Sequence, residues 1–159
     1  MAFATTVDLY PAPAVQGDRA NQNPTIYTAH NFLTAAPTTV GQFVWRDSTL
    51  PAVACNVTGS GAPLGIVERT HENAAEAFNF DASLVIPAKN NVSVIEKGQV
   101  WVVADTTVTV GMKAFATLAD GTIQFAASGA TVTGAVETAW TAVTAGAADD
   151  LVIVDSYLG

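Results

Sequence analysis

An all-β single domain, built as a jelly roll or a small β-barrel or sandwich with an extended N-terminal arm, is the fold this sequence predicts. Two observations carry it. From residue 25 onward, short stretches rich in Val, Thr, Ile and aromatic residues are interrupted by Gly, Pro, Asn and Asp at the spacing of about 8–12 residues expected of short strands. Before that point, Pro11, Pro13 and Pro24 fix their own backbone and push their predecessors toward extended conformations, which denies this segment a helix.

Taken in order, residues 1–24 read as an arm with a short strand around Thr5 to Leu9, and residues 25–159 as the β domain. Phe3, Val7, Leu9, Tyr10 and Val15 give the arm apolar residues that favour docking over a free terminus. Strands are expected at Thr25–Thr28, Gln42–Arg46, Leu64–Glu68, Leu84–Ile86, Val92–Glu96, Val100–Ala104, Lys113–Thr117, Ile123–Ala126, Val136–Val143 and Leu151–Tyr157. Ala119-Asp120-Gly121 has the Asp-Gly pair that suits the positive φ angles of a tight hairpin. A loose rhythm repeats the device. Gly41, Gly98 and Gly111 each precede an aromatic-bearing strand, and Asp47, Asp105 and Asp120 follow it, at intervals too irregular for a repeat protein. Glu68 to Phe80 contains good helix formers but lacks a long i, i+3, i+4 apolar stripe, so an irregular excursion or bulged strand is expected.

The composition narrows function. At 159 residues the chain fits one domain and is long enough to bury a sizeable core. Charged residues make up 13%, against about 25% in an average soluble domain. So uncharged a surface is expected to be partly covered by other subunits. The net charge is −8, and the six basic residues stand singly at Arg19, Arg46, Arg69, Lys89, Lys97 and Lys113. No basic stripe supplies the electrostatic footprint of nucleic-acid binding. A lone Cys55 allows no internal disulfide and suits a reducing compartment. The start of the chain lacks the pattern of a secretory signal, and no apolar run is long enough to span a membrane as a helix. Without a secretory route, the Asn56-Val57-Thr58 sequon is a chance match.

The chemical motifs weaken on inspection. Thr58-Gly59-Ser60-Gly61-Ala62-Pro63-Leu64-Gly65 has the glycines of a phosphate loop, but it lacks the lysine and leads into a strand, and Pro63 removes an amide. His71 and Glu72 are adjacent and diverge on either a helix or a strand, and His30, Cys55 and His71 match no zinc spacing. Cys55 sits in an apolar Val53–Val57 run and reads as a small buried side chain rather than a nucleophile. Asp149-Asp150 marks a turn, and Glu68, Glu72 and Glu76 would form a solvated face if helical; neither group has calcium-loop spacing. Trp45, Trp101 and Trp140, at strand positions, are expected in the core or at a subunit interface rather than on a carbohydrate platform. No catalytic residue, metal site or cofactor is expected.

One run is distinctive: Phe3 to Asp18, with Tyr10-Pro11-Ala12-Pro13-Ala14 at its centre, continuing to Asn23-Pro24. With Gly41–Trp45, Gly61–Gly65, Val85–Ala88, Gly98–Val102, and Val110–Ala116 with its Asp120-Gly121 turn, it makes nearly the whole chain resemble the structural cement, or head decoration, proteins of tailed bacteriophages. Glu68 to Phe80 departs most from that pattern. The resemblance implies a small jelly roll or barrel that binds the outside of an expanded icosahedral capsid and bridges major capsid subunits against internal DNA pressure. It implies the major capsid protein as partner, with self-association as a homodimer in preference to a homotrimer. It further implies synthesis in the bacterial host cytoplasm and a final place on the virion exterior, with no direct nucleic-acid or membrane contact. Val7, Leu9, Tyr10, Pro11, Pro13, Val15, Arg19 and Asn21 are the candidate capsid contacts. The alternatives are another structural phage part, such as a tail-tube or head-completion protein, or a carbohydrate-binding module on the particle surface.

Overall fold

The protein is described here by a computed structural model covering residues 14–70 and 84–158. Its strands are β1 (Ile26–Tyr27), β2 (Phe32–Thr34), β3 (Thr38–Thr39), β4 (Phe43–Arg46), β5 (Ala54–Asn56), β6 (Gly65–Val67) and β7 (Val85–Ile86). They continue with β8 (Asn91–Val92), β9 (Val94–Lys97), β10 (Gln99–Val103), β11 (Lys113–Thr117), β12 (Ile123–Ala126), β13 (Ala135–Ala142) and β14 (Leu151–Asp155). No helix occurs among the described residues.

A seven-stranded sheet has the order β1-β9-β6-β4-β5-β2-β8, and a five-stranded sheet the order β10-β14-β13-β11-β12. A two-stranded ribbon pairs β3 with β7. None of the three closes on itself, so the architecture is a sandwich and not a barrel. The chain passes from the first sheet to the second in one step: β9 ends at Lys97, β10 begins at Gln99, and Gly98 is the corner.

The middle of the seven-stranded sheet is buried on both faces, and its sequence shows why. Strand side chains alternate in direction. Phe43 and Trp45 of β4, Ile66 of β6 and Ile95 of β9 therefore join the core facing the five-stranded sheet. Val44, Val67 and Val94, one position over, join a second core with Phe32, Val40, Cys55, Ile86 and Val92. A strand covered on both sides reads as a continuous apolar run, as Phe43-Val44-Trp45 and Gly65-Ile66-Val67 do. The five-stranded sheet meets the first core with Val100, Val102, Ala114, Ala116, Ala142, Val152 and Val154. Phe43 and Trp140 make an edge-on contact between the sheets, with ring centroids 6.5 Å apart.

Most expected strands form within a residue or two. Lys113–Thr117 and Ile123–Ala126 appear with unchanged bounds and pair antiparallel about the Asp120-Gly121 turn, where Asp120 Oδ1 accepts the Thr122 amide at 3.0 Å. Asp47 plays the same part after β4, accepting the Thr49 and Leu50 amides at 2.8 and 2.9 Å. Those two backbone donors hold its carboxyl below the usual range. The expected strand at Val92–Glu96 divides into β8 and β9 at Ser93. Three strands were not foreseen. β3 is only two residues long, and β2 and β5 are three each and pair parallel to one another, a match between distant segments that no local pattern announces. Cys55 lies in β5, fully buried as expected, and burial pushes its thiol up to about 11. Glu68 to Thr70 are not helical, and the rest of the questioned stretch, with His71, Glu72 and Glu76, lies outside the described residues.

Gly121 has φ +73, and a Cβ there would sit 2.2 Å from the Phe43 carbonyl oxygen; its own carbonyl accepts the Phe43 amide at 2.9 Å, joining the two sheets. Gly129 has nearly the same φ, +76, but open space around it. Gly129→Ala should therefore cost only the left-handed backbone term of about 1–2 kcal/mol. Gly121→Ala should cost at least about 2 kcal/mol more, because backbone rather than a flexible side chain must move. Urea midpoints of the two variants check this, and equal losses would remove the close approach as a constraint.

Candidate contact surface at the arm and Trp101

The outer edge of β10 is closed by the arm. The Gly17 amide donates to the Trp101 carbonyl at 2.7 Å, the Trp101 amide to Asp18 O at 2.9 Å, and the Ala20 amide to Gln99 O at 2.9 Å. Arg19 thereby stands opposite Val100 as an antiparallel bridge. Gly17 also accepts the Arg69 amide at 2.9 Å, so this buried residue is bonded to β10 and to the chain just beyond β6. An unpaired β10 edge would offer bare amides and carbonyls to any neighbouring chain, and residues 17–20 remove that hazard.

Both ion pairs found among the described residues lie here. Arg19 Nε is 3.2 Å from Glu68 Oε1, and Arg69 Nε is 3.6 Å from Asp18 Oδ1. The Arg19 side chain is 53% exposed, so its pair contributes no more than about 1 kcal/mol. Glu68 is the less exposed member at 12% and also accepts the Tyr27 hydroxyl at 2.9 Å. Desolvation raises the Glu68 carboxyl above its ordinary value and outweighs the opposing pull of the Tyr27 hydrogen bond and Arg19; burial, then the Glu68 bond, raises Tyr27. A polar chain continues along the sheet. Asn21 Nδ2 donates to Gln99 Oε1, Gln99 Nε2 donates to Asp155 Oδ2 at 2.5 Å, and the Tyr157 amide donates to Asp155 Oδ1 at 2.6 Å.

Together Ala14, residues 18–22, Glu68–Thr70 and Trp101 line an open cleft of about 710 Å³. Of the candidate capsid contacts, Arg19 is exposed there, Asn21 and Val15 are partly exposed, and Val7, Leu9, Tyr10, Pro11 and Pro13 lie outside the described residues. The tryptophans separate. Trp45 and Trp140 are each 3% exposed in the inter-sheet core, whereas Trp101 is partly exposed on the far face of the five-stranded sheet. With two rings buried, the three cannot form a sugar-stacking platform.

The glycine-rich loop has a packing role. Trp45 Nε1 donates to Gly61 O at 2.8 Å, and a Cβ on Gly59 would fall 2.2 Å from the Trp45 ring. Glycine lets this backbone lie flat on the indole. Residues of the loop help line a second open cleft of about 590 Å³ beside Arg46 and Leu118. Among the described residues, no group of three His, Cys, Asp or Glu side chains is placed to hold a metal ion, and no helix is long and apolar enough to cross a membrane.

The raised Glu68 carboxyl fixes a sign. Its folded form holds the proton more tightly than the unfolded chain, whose glutamate titrates near pH 4.3. The stabilisation is fully present below that pH and is lost as pH rises through the folded value. In thermal melts of the wild type and Glu68→Gln, the difference in midpoint should shift toward the variant between pH 4 and pH 7. A shift toward the wild type would mean that the Arg19 and Tyr27 partners outweigh desolvation.

Comparison with known proteins follows the fold. The chain is similar, at 19% identity over 98% of both chains and a TM-score of 0.68, to a chain of the capsid of Myoviridae phage XM1. A chain of the head fibre gp8.5 N base of bacteriophage phi29 is 13% identical, with 82% of this chain and 93% of that one covered and a TM-score of 0.44. A search of curated proteins gives no match. A family model described as XM1 gp53 minor capsid protein matches residues 3–156, nearly the full length. The chain therefore belongs to the XM1 gp53 minor capsid protein family and is a structural protein of a bacteriophage capsid.

Proposed function

We propose that this protein is a capsid cement, binding the outer surface of the expanded phage head and bridging neighbouring major capsid subunits against the pressure of packaged DNA. The observation that carries the reading is full-length membership of a minor capsid family. Its surface chemistry agrees. The two-core sandwich is a rigid platform, and charged residues are scarce. The residues at the β10 edge close one sheet while leaving Arg19 half exposed beside a cleft. Val7, Leu9, Tyr10, Pro11, Pro13, Val15, Arg19 and Asn21 are the proposed capsid contacts, and a homodimer is the proposed unit.

A cement needs no catalytic group. Burying apolar surface gives about 25 cal/mol per Å² before the cost of association is subtracted. Each copy can therefore bind modestly while a coat of many copies resists rupture collectively.

Copy number tests the reading. Quantitative mass spectrometry of purified particles should give a ratio to the major capsid protein near one or a simple fraction of it. A handful of copies per particle would place the chain in a tail, portal or completion structure and end the cement proposal.

A further inference from the structure

The two sheets differ in how their faces are covered. Among the described residues the seven-stranded sheet has a core on each side, whereas the five-stranded sheet has one on its inner side only. An antiparallel sheet with a free face normally turns polar side chains outward. Strands β10 and β14 depart from that. Val100, Val102, Val152 and Val154 fill the inter-sheet core, so Gln99, Trp101, Val103, Leu151, Ile153 and Asp155 alternate outward. Four of those six are apolar. Trp101 pairs with Ile153 and Val103 with Leu151. The Val143 amide donates to Ile153 O at 2.8 Å, which adds Val143, just past β13, to the same strip. None of the five apolar side chains is buried, and Val103 is 37% exposed.

Charge stands at the two ends of this strip. Past Val103 and before Leu151 come Asp105, Asp149 and Asp150, all exposed. At the other end Asp155 is only 5% exposed and accepts hydrogen bonds from Gln99 Nε2 at 2.5 Å and the Tyr157 amide at 2.6 Å. Lys113, partly exposed, lies in that row through Thr141, which pairs with both Asp155 and Lys113. Its Nζ donates to Thr141 Oγ1 at 3.1 Å. The strip therefore runs from an acidic end through an uncharged middle to a lysine. Turned end for end and laid on itself, it sets apolar middle on apolar middle and the lysine of each copy toward the aspartates of the other. With a net charge of −8 per chain, two copies repel wherever acidic surface meets acidic surface. A face with this pattern is where they can meet.

We propose that the strip is the contact between two copies of the chain, packed face to face about a two-fold axis that crosses the Trp101–Ile153 pair. Five half-exposed side chains offer on the order of a few hundred Å², below the ~800 Å² per partner of a standard protein interface. The dimer is accordingly weak and forms in the micromolar range. This gives a face to the homodimer proposed as the working unit and rests on that reading.

Trp101 is the reporter, because Trp45 and Trp140 are each 3% exposed in the core. Sedimentation velocity and tryptophan emission are measured on the full chain over about 1 to 300 µM, the span in which a contact of this size dissociates. Dimer should give way to monomer on dilution, while emission shifts to the red and acrylamide quenching rises over the same span. A Trp101→Phe chain should lack the spectral change. Val103→Glu and Ile153→Glu each put a carboxylate into the middle of the strip and should weaken association at least about tenfold. Lys113→Glu should also weaken it, and Lys113→Glu combined with Asp105→Lys should restore it. Those two substitutions touch only the ends of the strip, so they decide the matter if the carboxylate variants do not fold. A wild type that stays monomeric throughout would overturn this contact and the homodimer together. A dimer that persists unchanged in Val103→Glu, Ile153→Glu and Lys113→Glu would overturn the contact alone. A trimer would overturn it as well, because the strip matches itself only about a two-fold axis.

Discussion

Everything in this fold hangs on strands β4, β6 and β9 being covered on both faces. Phe43, Ile66 and Ile95 face one core while Val44, Val67 and Val94 face the other. A sheet in that position tolerates no charged side chain at its centre and needs a partner layer on each side. The five-stranded sheet is one layer. On the other side, the second core takes in Val40, just after β3, and Ile86 of the β3–β7 ribbon. Gly98 as a one-residue corner, the Gly121–Phe43 backbone bond and the Phe43–Trp140 contact all serve to hold the five-stranded layer at its working distance.

The same constraint explains where the polar chemistry went. With the interior committed to aliphatic packing, ion pairing is pushed to the margin where the arm crosses between sheets. Arg19, Glu68, Asp18 and Arg69 meet there, and Tyr27 adds its hydroxyl. Glu68 is the one of these that is mostly withdrawn from water, so its charge is held at a cost that its partners only partly offset. The arrangement registers the arm against the body.

How legible was this in the sequence? Strands with strong apolar and β-branched content between turn residues were clear: β11 and β12 fall at their expected bounds because the Asp120-Gly121 turn fixes both ends. Gly41–Trp45 and Gly98–Val102 were readable for the same reason. The tryptophans were readable only as a class. Nothing local says that Trp45 and Trp140 go inward while Trp101 goes outward, since that depends on which face of each strand meets the other sheet. The pairing of Arg19 with Glu68 was equally hidden, because they lie 49 positions apart and neither sits in a motif. The glycine-rich loop reads in sequence as a plain loop, and its contact with the Trp45 ring could be read only from the ring's position.

By itself, then, the sequence determined the all-β class, most of the strands, the scarcity of charge and the likeness to phage capsid proteins. The first three are written in composition, in period-two patterning and in turn residues, all of which act over a few positions; the likeness rests on particular runs such as Tyr10-Pro11-Ala12-Pro13-Ala14. Tertiary structure alone decided that the strands form an open sandwich rather than a barrel, that β2 and β5 run parallel, and that residues 17–20 complete the edge of β10. Those outcomes depend on contacts between segments far apart in the chain. Such contacts are selected by the joint burial of two cores, and no local stretch of sequence records that sum.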